Sequence, residues 1–407
     1  MTAARTTSQK KPPHGTPGEV FLAFAMLGLT AFGGPIAHLG YFREAFVVRR
    51  RWLDDATYAD LVALCQFLPG PASSQVGFAL GLYRAGPLGA LCAFVAFTLP
   101  SALLLIAFAL GASAIGGPIA AGILGGLKIV AVAIVAQAVW GMARTLTPDR
   151  QRITIAILAL GLALVLGGTS GQLAAIAFGA IGGLTICRHL VVPHTGHLTF
   201  PVTRTAGLAA LCVFALLLLG LPLLAGLGQP LAVFDAFYRA GALVFGGGHV
   251  VLPLLESAVV DPGWITSDQF LAGYGAAQAV PGPLFTFAAY LGTALAPAPN
   301  GLVGALIALV AIFLPGFVLL IGALPFWDGL RTRPDARAIM AGTNAAVVGI
   351  LAAALYDPVF VSAITGPGPL ALALVCLGLL LKWKTPPWAV VIVAAMGGVI
   401  LQVLGLA

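Results

Sequence analysis

Apolar residues run along this chain in long stretches that do not keep to one helical face. The clearest cover approximately 88–113, 118–143, 152–187, 206–228, 301–326, 338–356, 362–381 and 386–406. A hydrocarbon core about 30 Å thick needs roughly 20 apolar residues of helix. Each run is therefore a predicted membrane span, and 152–187 is long enough for two helices parted at Gly167-Gly168-Thr169-Ser170-Gly171. The alternating segments of about ten residues that mark a transmembrane strand barrel do not appear. The pattern predicts an all-α, polytopic integral membrane protein.

Two stretches break this rule. Residues 19–32 are apolar but too short to span, and end at Phe32-Gly33-Gly34-Pro35. A second short segment, 36–48, carries His38 and runs into Arg49-Arg50-Arg51. Residues 57–84 repeat the design, broken by Pro69-Gly70-Pro71. Proline cannot continue a helix interior but suits the first position of a new one, so Pro35 and Pro71 are each predicted to open a second half-helix. Irregular backbone at membrane depth is tolerated only where protein buries it or it lines a cavity.

The whole pattern occurs twice. Gln66 with Pro69-Gly70-Pro71 returns as Gln278 with Pro281-Gly282-Pro283, and Trp52 and Trp264 precede the two glutamines at the same distance. Phe32-Gly33-Gly34-Pro35 returns as Phe245-Gly246-Gly247-Gly248, with Glu44 and Glu256 following, and Leu99-Pro100 as Leu314-Pro315. Gly248 stands where the first copy has Pro35, so the two breaks are not identical. A repeat of this kind divides the chain into an N-terminal tail (1–18), a first repeat (19–190), a connecting loop and linking helix (191–230) and a second repeat (231–407).

Charge sets the orientation. The loop 43–55 holds Arg43, Arg49, Arg50 and Arg51, whereas its counterpart 254–268 holds Glu256, Asp261 and Asp268 without Lys or Arg. Arg144 to Arg152, Arg188 to Arg204, Arg331 to Arg337 and Lys382-Trp383-Lys384 are further basic loops. Positive loops stay cytoplasmic, so equivalent loops of the two repeats fall on opposite sides, with 206–228 as the odd crossing. That is an inverted-topology repeat with broken helices, a plan of secondary transporters. The polar, basic start (Arg5, Lys10, Lys11) has no signal-peptide h-region and is expected to be a cytoplasmic tail.

Composition agrees: 60% hydrophobic, 8% charged, mean hydropathy +1.04. The net charge of +7 sits in short loops, so it is assigned to topology and not to nucleic acid. Cys65, Cys92, Cys187, Cys212 and Cys376 are scattered without a C-x-x-C and are taken as small core residues. No phosphate-binding loop, metalloprotease helix or nucleophile elbow is present, so no enzyme activity, metal or cofactor is expected.

The candidate chemistry is anion handling. Freed amide groups and the positive end of a half-helix attract anions. Ser73 and Ser74 after Pro71, and Thr286 after Pro283, are expected to add hydroxyls, and Gln66 and Gln278 neutral amide donors. Alternatively, each Pro-Gly-Pro merely kinks a helix for packing. Lys128 lies inside an apolar run, with Asn344 as its repeat counterpart; it either draws an anion inward, balances Glu44, or snorkels to an interface. Glu44, Glu256, His38 and His249 are candidates for proton coupling, against a loop salt bridge for Glu44 and neutral packed histidines. His189, His194 and His197 are read as solvated and Asp357 as a helix cap.

The ordered set Phe32-Gly33-Gly34-Pro35, Trp52, Gln66, Pro69-Gly70-Pro71 and Tyr83-Arg84-Ala85-Gly86 ahead of Leu88-Gly89-Ala90-Leu91 resembles the chromate ion transporter family. So does the second set, Phe245-Gly246-Gly247-Gly248-His249-Val250-Val251-Leu252-Pro253-Leu254, Trp264, Gln278 and Pro281-Gly282-Pro283. The likeness runs from about Glu19 to Leu406. It implies the long, two-domain form of that family, exporting chromate across the cytoplasmic membrane and conferring resistance, driven by membrane potential or a proton gradient. Sulfate, another doubly charged tetrahedral oxyanion, is an equally shaped partner. Membrane lipid is the surrounding partner, a homodimer is left open, and a non-transporting scaffold subunit is the alternative of a different class.

Overall fold

The computed structural model describes residues 15–114, 117–188, 200, 202–330 and 332–406. Arg5, Lys10, Lys11, His189, His194, His197 and Arg331 lie outside the described residues. Among those described, every regular element is a helix, and six are long and apolar enough to cross a membrane.

The first repeat opens with two hairpins of half-helices. Pro17–Thr30 (α1) begins at Thr16, whose hydroxyl accepts from the Glu19 amide at 3.2 Å. Gly34–Phe42 (α2) follows the first break, and Phe24 of α1 stacks on Phe46 at 4.7 Å, so the chain doubles back beside itself. Asp55–Phe67 (α3) is capped by Asp54. Ala72–Ala114 (α4) starts directly after Pro71 and folds over at Ala85 and Gly86, where the backbone leaves helical geometry. Both hairpins return to one end. There Trp52 donates its indole N–H to Glu19 at 3.2 Å, Arg84 pairs with Glu19 at 3.1 Å, and Arg84 lies 5.3 Å over the Trp52 ring.

From that end the second arm of α4, then Pro118–Leu146 (α5), Arg150–Leu166 (α6) and Gly168–Gly182 (α7) run to and fro. The glycine parting expected inside 152–187 is thus a turn between helices. Arg204–Leu224 (α8) is almost wholly exposed on its flanks, as befits a linking helix facing lipid.

The second repeat has the same order upside down. Gln229–Ala242 (α9) and Val251–Val259 (α10) form one hairpin, Ser267–Ala277 (α11) and Phe287–Ala294 (α12) the next. Their ends gather at the opposite face, where the Ala296 amide donates to the Trp264 carbonyl at 2.8 Å. Gly301–Ala323 (α13) crosses back. Trp327–Leu330 (α14) follows, with Trp327 donating to Asp60 at 3.1 Å, back at the Trp52 end. Pro334–Ala354 (α15), Val361–Ala363 (α16), Pro367–Leu381 (α17) and Pro387–Val403 (α18) complete the chain. Arg188 pairs with Asp335 at 2.7 Å at the Trp52 end, whereas the Gly167–Gly168 turn shares a cavity with Asp261 and Asp357 at the Trp264 end. The two halves are therefore inverted, and the basic loops collect on one face and the acidic loop on the other.

Small residues bring the full crossings together. Gly122 and Gly126 of α5 lie against the backbone of Ala394, Gly398 and Val399 in α18, and Gly183, just after α7, against Ala338 and Gly342 of α15. Such contacts replace the hydrophobic drive that lipid removes. The hairpins of the second repeat are wrapped in protein, with Phe237, Leu252, Leu271 and Phe287 wholly buried, which meets the condition on broken backbone inside a bilayer.

Candidate functional site

Four breaks meet in the middle of the molecule. Glycine is required at each because the backbone enters the left-handed region: φ is +102° at Gly33, +120° at Gly70, +74° at Gly246 and +95° at Gly282. The breaks are joined crosswise. The Gly70 amide donates to the Val244 carbonyl at 2.7 Å, and the Gly282 amide donates to the Ala31 carbonyl at 2.9 Å. Val244 and Ala31 each precede the Phe-Gly-Gly of their own repeat, so these two bonds are counterparts under the pseudo-two-fold. The support behind each is also paired. Gly70 packs on Gly316 after Pro315, and Gly282 on Ser101 after Pro100. Gly248 faces Pro35, with 3.0 Å between the Pro35 ring and the place a Cβ on Gly248 would take. A second proline at 248 would collide with the first, which accounts for the departure from symmetry.

A cavity of about 280 Å³ opens at the first and fourth breaks. Gly33 and Gly34 line it at the start of α2, Gln278 and Gly282 at the fourth break, and His249 just past the third. Gln137 of α5 and the Lys384–Thr385 turn between α17 and α18 close its sides. The buried amide nitrogen of Gln278 has no protein partner. His249 Nδ1 shares a 2.7 Å hydrogen bond with the Tyr274 hydroxyl, which fixes the ring. The lining thus holds amides, an imidazole, a hydroxyl, one ammonium group and no carboxylate. A water takes about 30 Å³, so the space admits a small oxyanion with several waters. Gly33 and Lys384 are both exposed, and the Lys384 turn between α17 and α18 places the opening toward the basic face.

Several expected residues stand elsewhere. Lys128 does not join the breaks and does not balance Glu44: its Nζ reaches Asp268 at 2.8 Å, beside a larger cavity of about 710 Å³. Side chains on a helix lean toward its N-terminus, and here that carries the ammonium to the acidic face. Glu44 forms an exposed pair with Arg49 at 2.8 Å. Ser73 faces His38 at 3.5 Å, and His38 Nε2 meets the Ala31 carbonyl at 3.2 Å, the same carbonyl that Gly282 uses. The Thr286 hydroxyl donates to the Pro283 carbonyl at 2.6 Å. Ser73, Ser74 and Thr286 therefore support the breaks from behind and do not line the cavity; the Ser74 hydroxyl is buried without a partner. Pro69 is held by Gln75, whose amide donates to the Pro69 carbonyl at 3.1 Å and the Gly316 carbonyl at 2.9 Å. Pro71 packs on Gly316, and Pro281 is buried. Gln66 is exposed, unlike Gln278. Asn344 sits at the third break, its Oδ1 3.4 Å from where a Cβ on Gly246 would be; Gly247 completes that turn.

Glu256 lies on the acidic face, in a cavity of about 210 Å³ shared with Asp261 and Asp357. Asp357 leaves helical geometry at φ −130° and ψ 115° directly before Pro358, and it also lines that cavity. Gln137, Lys384, Tyr274 and Gln75 had no place in the sequence-based site. Gln137 carried a usable signal, a lone amide in an apolar run; Lys384 was assigned to a loop that sets orientation.

A sequence model of the chromate transporter family matches residues 18–185 and 231–399, once on each repeat. The chain belongs to the chromate transporter family. The chromate transport protein of Pseudomonas aeruginosa is 29% identical over 406 residues, covering 97% of this chain and 94% of the relative. The probable chromate transport protein of Synechococcus elongatus is 29% identical over 93% of both chains. The chromate transport protein of Cupriavidus metallidurans is 28% identical over 91% of this chain and 90% of its own. No solved structure matches. As a chromate transporter family member with crossings of this kind, the chain is a multi-pass membrane protein.

Proposed function

We propose that this chain exports chromate from the cytoplasm across the cytoplasmic membrane, and so confers chromate resistance. The basic face is the cytoplasmic one. Chromate enters the cavity at the first and fourth breaks, takes hydrogen bonds from Gln278, Gln137 and the free amides at the start of α2, and leaves on the acidic face. Movement of the two repeats about the crossed Gly70–Val244 and Gly282–Ala31 bonds alternates the access. The observation that carries this reading is the donor-lined, carboxylate-free cavity at the breaks, open toward the face that collects the arginines. Neutral donors plus one cation stabilise a dianion without holding it irreversibly.

The test is chromate accumulation and growth in a chromate-sensitive host. The chain should lower accumulation and raise tolerance, and Gln278→Leu or Gly70→Val should abolish both while the protein remains in the membrane. Normal tolerance with either variant would contradict transport through this cavity, and losses that merely follow loss of folded protein would support a scaffold role instead.

A further inference from the structure

We propose that Lys384 is the specificity-determining contact at the mouth of the cavity, the group that makes it prefer doubly over singly charged oxyanions. This rests on the export reading above and names its charge selectivity. Lys384 lines the cavity and is exposed, so this cationic residue stands at the cavity mouth, outside the breaks. Among the described residues no acid pairs with it. Other cations of the same face do have acid partners: Arg43 has Asp55, Arg49 has Glu44, Arg84 has Glu19, Arg152 has Asp149 and Arg188 has Asp335.

The turn that carries Lys384 is built for position. Its backbone is left-handed, φ +52°, a conformation that a side chain-bearing residue keeps only when its surroundings impose it. The Thr385 amide donates to the Leu379 carbonyl at 3.0 Å, and Pro386 and Pro387 stiffen the start of α18. Glycine would hold this turn with less strain, yet a lysine stands there.

The remaining polar lining is amides, one imidazole and one hydroxyl, and hydrogen bonds from such groups discriminate weakly between anions of similar shape. A fixed positive charge interacts in proportion to the charge of its partner. It therefore separates chromate and sulfate from nitrate or perchlorate, and it does so at the mouth, before the breaks are reached.

The experiment is initial-rate chromate uptake into everted membrane vesicles, with sulfate and perchlorate as competitors, for the wild type and for Lys384→Gln, Lys384→Arg and Lys384→Gly. Removal of one charged contact should raise the KM of Lys384→Gln about tenfold, leave the maximal rate unchanged, and erase the preference for sulfate over perchlorate. Lys384→Arg should retain the wild-type KM. Lys384→Gly should behave like Lys384→Gln although it relaxes the turn. An unchanged KM in Lys384→Gln or Lys384→Gly, or a Lys384→Arg as poor as Lys384→Gln, overturns the assignment. If the wild type takes up chromate while the variants match it, only this assignment fails. If the wild type takes up none, the export reading fails with it.

Discussion

Replacing Gly282 with alanine probes the crossed bonds directly. Gly282 has φ +95°, and an L-residue in that region costs about 1–2 kcal/mol. The added methyl would stand 2.9 Å from the Ser101 hydroxyl oxygen and 3.2 Å from the Phe97 carbonyl oxygen. Forcing a methyl into a packed site costs about 1–3 kcal/mol, so the total is about 2–5 kcal/mol against this arrangement of the breaks. The assay pairs thermal unfolding in detergent with vesicle uptake. Gly167→Ala is the control: its φ is +63° and ψ 169° with open space around the new methyl, so only a backbone cost of about 1–3 kcal/mol applies, with no packing cost added. The double variant Ser101→Ala with Gly282→Ala should recover part of the loss, since it removes the nearest clashing atom. A Gly282→Ala protein as stable and active as Gly167→Ala, or no relief from the Ser101 change, would refute the packing described for the fourth break.

Other outcomes follow from the same geometry. Lys128→Gln or Asp268→Asn should change stability by about 0–1 kcal/mol and leave uptake intact, since Asp268 is 70% exposed; loss of uptake would restore Lys128 to the pathway. Arg84→Ala should cost about 1–3 kcal/mol, measured by thermal unfolding, because the guanidinium is 15% exposed, pairs with Glu19 and lies over Trp52. Arg84→Lys should recover only part, as an ammonium lacks the planar fork; full recovery would contradict the stacking. In a background lacking the native cysteines, single cysteines at Lys384 and Asp261 should react with impermeant thiol reagents from opposite sides of intact and everted vesicles. Labelling from one side would contradict the inverted repeat.

Much of the architecture was legible because it is written in residues with few alternative uses. Pro35, Pro71 and the Gly33, Gly70, Gly246 and Gly282 positions mark breaks by sterics alone, and their recurrence in register fixed the two halves. The sorting of Arg49–Arg51 against Asp261 and Asp268 fixed the inversion. The site was less legible because a cavity is made by residues distant in sequence. Lys128 looked functional as a charge in an apolar run, but a long side chain reports the position of its head poorly, and Asp268 claimed it from the other repeat. Lys384 looked like a loop cation because nothing local reveals that its turn closes a cavity against Gly33 and Gln278. Ser73 and Thr286 sit beside the breaks, yet the face they present is set by His38 and the Pro283 carbonyl, so their hydroxyls do not enter the cavity.

The most direct measurement is radiolabelled chromate uptake into everted vesicles carrying the chain, under an imposed gradient, with and without excess sulfate. The account predicts gradient-dependent uptake that needs the chain and is lost in Gln278→Leu, with sulfate competing through the same donors. Folded protein that supports no uptake of chromate, or uptake indifferent to Gln278, would contradict transport through the cavity at the breaks.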